Sequence, residues 1–402
     1  MKPQPTLARL QSPAGPYRAA VGNARGVVEP FPLASRRIRL LIVHVDMYSG
    51  GVETQLLSLL RGLDPARYEI HLGLGRAVGD RLQEVPNYVE LHELGSRPGP
   101  RLTAALVPRI AGLVRMVNPH LCVSFHPFLN VETFIGARLA AGRLPVVGSF
   151  AGHASTGRLD FIRRPAIRRM NCLCCASSSV AASVARVYGR REGIAVIPNC
   201  ADADLVESLA GVPVEHRWLA DKDLPVLATV GRLIPTKGID FLIRSVVFLN
   251  RTHRARCLIV GDGPERPRLE RLVRESGATR YIELVGYQQN PHRFVARSDV
   301  FIFGSLSEGL PTVLIEAMIC GTPVVTTEFL GGLTEIIEDG VTGLIVRPRT
   351  EEAMAKAVLS VLASPGLRSR LRQSGRRRAT EEFGVQRYVR DYSLLFDALA
   401  SG

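Results

Sequence analysis

From residue 39 almost to the C-terminus, the apolar residues follow two alternating spacings. Short continuous apolar runs, typical of strands buried on both faces, alternate with stretches in which apolar residues recur every three or four positions, as in amphipathic helices. The strand-like runs cover residues 39–46, 69–74, 119–125, 145–150, 194–198, 225–230, 257–260, 281–285, 299–303 and 323–326. The clearest helical patterns cover residues 52–61, 103–117 and 176–188. This alternation predicts parallel sheets with right-handed crossovers and helices on both faces.

The runs fall into two series, which predicts two domains. Residues 201–224 are of mixed polarity and separate the series. We therefore predict an α/β fold of two doubly wound, Rossmann-like parallel-sheet domains, residues 37–205 and 206–383. Residues 1–36 contain six prolines, one acidic residue and no sustained period. They are predicted to be a flexible tail, although an acid-poor composition would also fit a transit peptide.

Composition and charge narrow the class of protein. The chain has 402 residues, of which 46% are hydrophobic, and a formal net charge of +14. No apolar run approaches the roughly 18 residues of a transmembrane helix, and the N-terminus lacks the apolar core of a secretion signal, so we expect a cytoplasmic protein. Arginines crowd residues 163–169 and 368–378. These are either solvated helix faces or a surface for the anionic inner face of the plasma membrane; without interleaved aromatic residues, no nucleic-acid partner is expected.

Two patterns that resemble metal sites are interpreted otherwise. The seven cysteines lie mostly in apolar runs, which favours buried free thiols, and the Cys172-Leu-Cys174-Cys175 cluster has no second pair at ligand spacing. Asp202-Ala-Asp204 opens a helical pattern, where aspartate is favoured as an N-cap. No metal ligands are expected.

Glycine follows four strand-like runs of the second series, at Gly231, Gly261, Gly286 and Gly304. In open parallel sheets, ligands bind beyond the carboxyl ends of the strands, and glycine allows the backbone to approach them closely. The sequence therefore predicts a binding crest at this edge. The Gly261-Asp-Gly263 segment lacks the third glycine of a dinucleotide fingerprint, which argues against a dehydrogenase.

Two segments of the second series carry candidate chemistry. Arg232 and Lys237 follow a strand end, where their charges could neutralise a diphosphate leaving group without Mg²⁺. In 303–325, Pro311 suits the first turn of a helix, and the loop before it would offer N–H groups to a phosphate. Glu316 lies in an apolar helical pattern, so its carboxylate needs a partner, either a structural arginine or the hydroxyls of a ligand.

At these segments the sequence closely resembles the retaining glycosyltransferases of family 4, whose GT-B fold has two Rossmann-like domains facing across a cleft. The resemblance runs from about residue 39 to near the C-terminus. It rests on ordered motifs: GGVE at 50–53, IPNCAD at 197–202, VGRLIPTKGIDFLIRS at 230–245, VGDGPERPRLE at 260–270, VGYQQNP at 285–291, SLSEGLPTVLIEAM at 305–318, GTPVV at 321–325 and GGLTEIIEDGVTGLIV at 331–346.

The resemblance implies roles for residues on both sides of the cleft. Arg232 and Lys237 would bind the donor diphosphate, Glu308 would lie beside the donor sugar, and Glu316 would hold the ribose hydroxyls. With Arg232, Lys237 and Glu308, the resemblance makes His153 a candidate catalytic residue. The other implied donor-binding residues are Gly50, Gly51, Gly231, Gly261, Gly286, Tyr287, Gly309, Leu310, Pro311 and Thr312. The last helix, 384–402, would cross back onto the first domain.

Two departures from the family pattern concern the first domain. Cys200 and Ala201 stand where the family usually has Gly and Val, which affects the interdomain join. The family's histidine at the end of the strand 145–150 is displaced here to His153, one or two places late. His126, which ends another strand-like run, is the competing candidate.

The function implied is retaining transfer of a sugar from a UDP- or GDP-sugar to an acceptor hydroxyl, with no other cofactor and no catalytic metal. The product would be a polysaccharide, glycolipid or other glycoconjugate. The basic residues Arg138, Arg143, Arg163 and Arg164 suggest a glycan or lipid-linked acceptor at a membrane. The displaced histidine leaves open a non-catalytic nucleotide-sugar-binding subunit of the same fold. A nucleotide-sugar epimerase and a nucleic-acid binder are further alternatives.

Overall fold

A computed structural model describes residues 37–95, 104–154, 160–220 and 222–401. The predicted tail, residues 1–36, lies outside the described residues. The described chain forms two parallel sheets, each covered by helices, so the predicted fold of two doubly wound domains is confirmed.

The first sheet has seven strands in the order β3-β2-β1-β4-β5-β6-β7. Its strands are β1 Ile38–His44, β2 Tyr68–Leu74, β3 Glu90–Glu93, β4 Leu121–Ser124, β5 Val146–Phe150, β6 Cys172–Cys175 and β7 Ile194–Val196. The helices that accompany it are α1 Gly51–Gly62, α2 Leu106–Val117, α3 Asn130–Ala140, α4 Asp160–Arg169 and α5 Ser178–Tyr188. The strand order reverses between β1 and β4, which is where doubly wound sheets form a ligand crevice.

The second sheet has six strands in the order β10-β9-β8-β11-β12-β13, the same winding pattern. Its helices are α6 Ala203–Gly211, α7 Arg217–Ala220, α8 Ile239–Leu249, α9 Arg266–Glu275, α10 His292–Val295, α11 Thr312–Ile319, α12 Leu333–Ile336, α13 Glu351–Ala363 and α14 Pro365–Glu382. Its strands are β8 Val226–Val230, β9 Arg256–Val260, β10 Ile282–Gly286, β11 Val300–Phe303, β12 Val324–Thr327 and β13 Leu344–Val346. A final helix, α15 Val385–Ala400, follows.

Central strands have apolar residues on both faces because helices cover both sides. In β1, for example, residues 40–43 are fully buried. The apolar pattern does not predict β3 and β13, for different reasons. β3 is an edge strand with the sequence Glu-Leu-His-Glu and is mostly exposed, and β13 has only three residues. β3 therefore has no continuous apolar run, and the Leu-Ile-Val run of β13 is too short to indicate a strand.

The chain crosses between the domains twice, and the two crossings lie side by side. Ala201 donates its N–H to the carbonyl of Phe383 at 2.9 Å and pairs with Gly384 as a parallel bridge. The side-chain amide of Gln55 on α1 exchanges two hydrogen bonds with the backbone of Cys200, at 2.8 and 2.9 Å. Cys200 and Ala201, which depart from the family pattern, therefore lie in the segment that joins the two domains.

The last helix packs on the first domain. Tyr388, Tyr392 and Phe396 of α15 are buried in the core on one face of the first sheet. The Arg387 guanidinium also donates to the carbonyl of Pro198 at 2.8 Å. The C-terminal helix thus closes the domain that the chain left at residues 197–202.

The position of helix α6 shows where the chain first passes from the first domain to the second. Asp202 caps the helix by accepting the N–H of Leu205 at 3.0 Å, which confirms its interpretation as an N-cap. Val206 of α6 is buried in the core of the second sheet. A boundary between residues 205 and 206 would divide this helix, so we place the division at Asp202.

Within the described residues, no helix combines the length and apolar character needed to cross a membrane. Six of the seven cysteines are buried free thiols, as predicted, and Cys320 is partly exposed. Burial raises the pKa of the Cys122 and Cys257 thiols to about 12.

Candidate functional site

The strand-end glycines of the second sheet contact one another. Gly231 donates its N–H to Val260 at 3.0 Å, and Gly261 donates to Gly286 at 2.8 Å. Gly261 has a φ of +139°, and a Cβ there would lie 2.0 Å from the carbonyl oxygen of Gly231. Gly261 is therefore required by the neighbouring strand end. A Cβ on Gly231 would contact nothing within 4 Å, so only this glycine leaves open space beside the crest.

Lys237 and Glu308 form the central ion pair of the crest. The Lys237 ammonium lies 2.7 Å from Oε1 of Glu308, and both side chains are largely buried, at 24% and 13% exposure. The hydroxyl of Ser305 donates to the same carboxylate oxygen. Gly238, with a φ of +60°, follows Lys237, and a Cβ there would lie 2.1 Å from the carbonyl oxygen of Gly304. Close backbone packing between two loops thus fixes the ion pair.

Arg232 differs from its neighbour Lys237. It is exposed and, among the residues that the structure describes, has no ion-pair partner. Its backbone is held by the N–H of Ile234, which donates to its carbonyl at 2.9 Å. The crest therefore combines one cation already neutralised by a glutamate with one cation available to a ligand.

Helix α11 begins at Thr312, so Pro311 precedes the first turn instead of lying in it. No side chain caps the helix, and the first N–H groups of a helix have no intrahelical partner. Leu310 and Pro311 are buried and Thr312 is half-buried. The helix N-terminus points its partial positive charge toward the loop that carries Glu308.

Glu316 has a neighbour that the sequence does not predict. Its side chain is 24% exposed, and its Oε2 lies 3.4 Å from Nε2 of His292 on α10. Glu316 is thus neither fully buried nor paired with an arginine. Tyr287, directly after Gly286, has 62% exposure and is available to a ligand.

The two domains touch at Gly309. A Cβ on this residue would lie 1.8 Å from the carbonyl oxygen of Ala151, which directly follows β5 of the first domain. Asn199 donates its side-chain amide to the carbonyl of Leu310 at 2.9 Å. Glu335 accepts the N–H of Ser178, at the start of α5, at 2.9 Å. Sequence reasoning assigned no role to Asn199 or Glu335, although both lie in the motifs quoted above, because only the domain arrangement brings their partners near.

The first-domain loop carries a second buried polar pair. Gly50 and Gly51 begin α1 and are exposed. Nε2 of the fully buried His44 lies 3.1 Å from Oε1 of Glu53. A Cβ on Gly50 would lie 2.2 Å from the other oxygen of Glu53. Glu53 therefore folds back over the glycine loop and ties it to the end of β1.

The two candidate histidines are held by different contacts. Nε2 of His153 lies 2.9 Å from the Ser179 hydroxyl on α5. Nδ1 of His126 accepts the N–H of Phe128 at 3.2 Å. Burial, and after it the nearby His44, lowers the pKa of His126 to about 4, so this ring is neutral at physiological pH. The residue that follows β5 and lies against Gly309 is Ala151, which has no titratable side chain.

Comparison with known proteins agrees with the geometry. A family model described as Glycosyltransferase Family 4 matches residues 49–205, and one described as Glycosyl transferases group 1 matches residues 215–378. The crystal structure of Anabaena Alr3699/HepE in complex with UDP-glucose superposes with a TM-score of 0.74 and 20% identity, covering 90% of this chain and all of that one. The fold is that of a GT-B protein. The chain belongs to glycosyltransferase family 4.

Two curated relatives of this chain are named as glycosyltransferases. The lipopolysaccharide core biosynthesis glycosyltransferase LpsE of Rhizobium meliloti is 30% identical over 54% of this chain and 61% of its own length. A Campylobacter jejuni protein is 29% identical over 46% of this chain and 49% of its own length. Its name is N-acetylgalactosamine-N,N'-diacetylbacillosaminyl-diphospho-undecaprenol 4-alpha-N-acetylgalactosaminyltransferase. The chain thus spans about half to three fifths of these relatives.

Proposed function

We propose that this protein transfers a sugar from a nucleotide-sugar donor to an acceptor hydroxyl, with retention of the anomeric configuration. The observation that carries the proposal is the crest at Arg232, Lys237 and Glu308. This crest carries an exposed cation and a largely buried ion pair, and Glu308 of that pair precedes both Gly309, which meets the first domain, and the start of α11. Such a site suits a ligand with two phosphates and a sugar, because it offers positive charge beside a carboxylate that can bind hydroxyls.

In this mechanism the bond between the anomeric carbon and the β-phosphate oxygen breaks, and negative charge develops on the diphosphate. Arg232, Lys237 and the N–H groups at the start of α11 stabilise that charge. The acceptor oxygen attacks the same face of the sugar, and the leaving phosphate oxygen takes its proton. Glu308 would lie beside the sugar hydroxyls, and its ion pair with Lys237 keeps the ammonium in place.

The other proposed contacts with the donor follow from where the remaining residues lie around the crest. Glu316, beside His292, would bind the ribose hydroxyls, and the exposed Tyr287 with Gly286 would lie near the base. Gly50 and Gly51 would approach the phosphates from the first domain. We propose a UDP- or GDP-sugar as donor. The binding of UDP-glucose by the structurally similar HepE protein supports a uridine nucleotide.

We further propose that the reaction uses no catalytic metal, because Arg232, together with Lys237 and the N–H groups at the start of α11, would supply the stabilisation that Mg²⁺ otherwise provides. Transfer should continue after treatment with a chelator. Loss of transfer that Mg²⁺ alone restores would contradict this part of the proposal.

The acceptor is proposed to be a glycan or a lipid-linked precursor at the inner face of the plasma membrane. The diphospho-undecaprenol in the name of the Campylobacter relative supports a lipid-linked acceptor. On the first domain, Arg143 and Arg164 are exposed. Arg138 instead donates to the carbonyl of Gly142 at 2.7 Å, which makes its role structural. In a flotation assay at low salt, the protein should rise with anionic vesicles, and R143E/R164E should lower the bound fraction. If the unaltered protein does not bind these vesicles at low salt, the membrane location is contradicted.

The decisive experiment compares two lysines. Lys237→Ala should lower kcat/KM for transfer by about 10²–10³, the usual effect of removing one group that stabilises developing charge. Lys356→Ala is the matched control, because Lys356 pairs with Glu352 on the exposed face of α13. Unchanged transfer in Lys237→Ala would overturn the proposed role. Donor binding without transfer would indicate a non-catalytic subunit, and donor isomerisation without acceptor an epimerase.

A further inference from the structure

A polar cluster lies on the edge of the first sheet, away from the crest. It consists of Glu69 and His71 on β2 with Glu90 and His92 on β3, the edge strand. His71 pairs in register with Glu90, and Gly73 with His92. Side chains two residues apart on a strand share a face, so all four project from the same side of the sheet. The His92 ring stacks on the His71 ring, with ring centroids 5.3 Å apart and planes at 24°.

The donor atoms of the cluster converge. Nδ1 of His71 lies 3.1 Å from Nε2 of His92 and 3.3 Å from Oε2 of Glu90. Oε1 of Glu90 lies 3.6 Å from Nε2 of His92. A tetrahedral zinc ion with bonds of about 2.0–2.1 Å holds its ligand atoms roughly 3.3 Å apart. The two imidazole nitrogens therefore already have about this spacing, and each lies close to one of the two oxygens of the Glu90 carboxylate, which can supply the third ligand atom.

Glu69 supplies the outer contact that metal-binding histidines commonly have. Its Oε1 lies 3.2 Å from Nε2 of His71. A proton on Nε2 directed at this carboxylate leaves the lone pair of Nδ1 free to face His92 and Glu90. A carboxylate that orients a histidine in this way raises its basicity as a ligand. In that tautomer the unprotonated nitrogen of His71 points into the cluster, as a metal ligand requires.

We propose that His71, His92 and Glu90 bind one divalent transition-metal ion, Zn²⁺ or one of similar ligand preference, with water in the fourth position. Two imidazoles and one carboxylate form a donor set that zinc accepts. His71 is 5% exposed, whereas the Glu90 side chain is 65% exposed. The buried ring gives the site a fixed member, and the exposed carboxylate leaves a path for the ion and its water.

The bound ion would fasten the edge strand β3 to β2. Beside the crest, Gly309 contacts Ala151, which follows β5, whereas β3 lies at the edge of the sheet, four strands away. The ion therefore takes no part in sugar transfer, and the proposal stands independently of the proposed function. Its effect is on the stability of the sheet edge and on the pairing of β3.

Cobalt and zinc titrations of the full-length, tag-free protein test the site. After chelator treatment and dialysis, one equivalent of Co²⁺ should give the intense visible absorption of a four-coordinate ion, and Zn²⁺ should displace it. Glu90→Ala and His92→Ala should each weaken Zn²⁺ binding at least tenfold in calorimetry. Glu69→Gln, which keeps the size of the side chain, should weaken it by about 10–100-fold.

Matched controls separate this site from adventitious binding. Glu93→Ala changes an exposed glutamate on the same strand but the opposite face, and His253→Ala changes an exposed histidine elsewhere. Both should bind Zn²⁺ like the unaltered protein. Zn²⁺ should also raise the midpoint of thermal unfolding of the unaltered protein and of these controls, but not of Glu90→Ala. Absence of stoichiometric binding, or binding that survives both Glu90→Ala and His92→Ala, would overturn the proposal.

Discussion

The two faces that meet at the cleft are built in opposite ways. On the second domain, the groups assigned to the donor come from short contiguous segments, and their side chains are charged and partly exposed, as Arg232 and Lys237 are. On the first domain, the polar groups near the cleft are buried or partly buried and come from separate segments of the chain. His44 lies against Glu53, and its ring centroid is 5.8 Å from that of His126.

This difference indicates a division of labour. Fixed charge on the second domain suits a ligand whose phosphates are the same for every donor. The first domain instead offers neutral or internally paired polar groups, because the lowered pKa of His126 keeps it uncharged. Such a face can bind an acceptor through hydrogen bonds and shape. The contact of Gly309 with Ala151 is the point at which the faces must fit together.

The largest expected effect comes from disturbing that contact. Gly309→Ala places a Cβ 1.8 Å from the Ala151 carbonyl oxygen, and backbone lies on both sides, so the domains must separate. Transfer should fall about 100-fold, the scale expected when reacting groups are misplaced by about 1 Å. Nucleoside diphosphate binding, measured by calorimetry, should fall less than transfer, because Arg232 and Lys237 both lie on the second domain and only Gly50 and Gly51 would approach the phosphates from the first.

Gly366→Ala is the matched control for this change, since a Cβ at Gly366 on α14 meets nothing within 4 Å. Its transfer rate should equal that of the unaltered protein. If Gly309→Ala retained full transfer, the two faces would not need to meet as closely as they do here, and the comparison would lose its central contact.

The same contrast explains what the sequence could predict. Continuous apolar runs predicted most strands, and the contiguous motifs around Lys237 and Glu308 predicted residues that do lie together. The motif at 305–312 also predicted the helix start to within one residue. These features depend on local spacing, which a sequence displays directly.

Contacts between distant segments could not be predicted in this way. Glu335 meets Ser178, and Asn199 meets Leu310, only after both domains have folded and docked. The neighbour of Glu316 is a histidine from another helix. Each of the crest glycines follows a strand-like run, so the sequence does not distinguish them. A Cβ at Gly261 would clash with the carbonyl oxygen of Gly231, whereas a Cβ at Gly231 would contact nothing within 4 Å. Whether a glycine serves packing or a ligand is a property of its neighbours in space.

The neutral state of His126 predicts a pH effect on the first domain. Its folded pKa of about 4 lies below the ordinary value of 6.5, so the folded protein binds fewer protons than the unfolded chain between these pH values. The stability contribution is therefore complete above pH 6.5 and is lost as the pH falls toward 4. Between pH 7.5 and 5, His126 should account for a loss of about 2 kcal/mol in the free energy of unfolding.

Urea unfolding at several pH values measures this loss. His126→Gln removes the titrating group and should flatten the pH dependence by that amount, whereas His253→Gln, at an exposed position, should leave it unchanged. Identical pH profiles for His126→Gln and the unaltered protein would show that the first-domain face is not a desolvated, neutral surface.

A smaller effect is expected at Glu335, where the second domain holds the start of α5. Burial raises the pKa of this carboxyl, so the ionised form is disfavoured in the fold. Glu335→Ala removes the hydrogen bond from Ser178 and should weaken domain docking by about 1 kcal/mol. Glu335→Gln keeps an acceptor oxygen and removes the charge. It should dock at least as well as the unaltered protein, with an advantage that grows as the pH rises through the raised pKa.

Small-angle scattering of the two Glu335 variants measures the domain docking. We expect a larger radius of gyration for Glu335→Ala than for Glu335→Gln, with the unaltered protein close to the latter. Equal expansion of both variants would indicate that the charge, and not the hydrogen bond to Ser178, holds the domains together.

The smallest change in stability is expected at Gly231, and it tests whether the crest receives a ligand. A Cβ there meets nothing within 4 Å, and the residue is not in the left-handed region. Gly231→Ala should therefore change the free energy of unfolding by no more than about 0.5 kcal/mol. If a diphosphate lies against this backbone, as we propose, the added methyl group should still weaken nucleoside diphosphate binding several-fold, because glycine permits the closest approach. If calorimetry finds the same nucleoside diphosphate affinity in Gly231→Ala as in the unaltered protein, the phosphates do not lie against Gly231. Arg232 and Lys237 would then bind them without help from the backbone at this strand end.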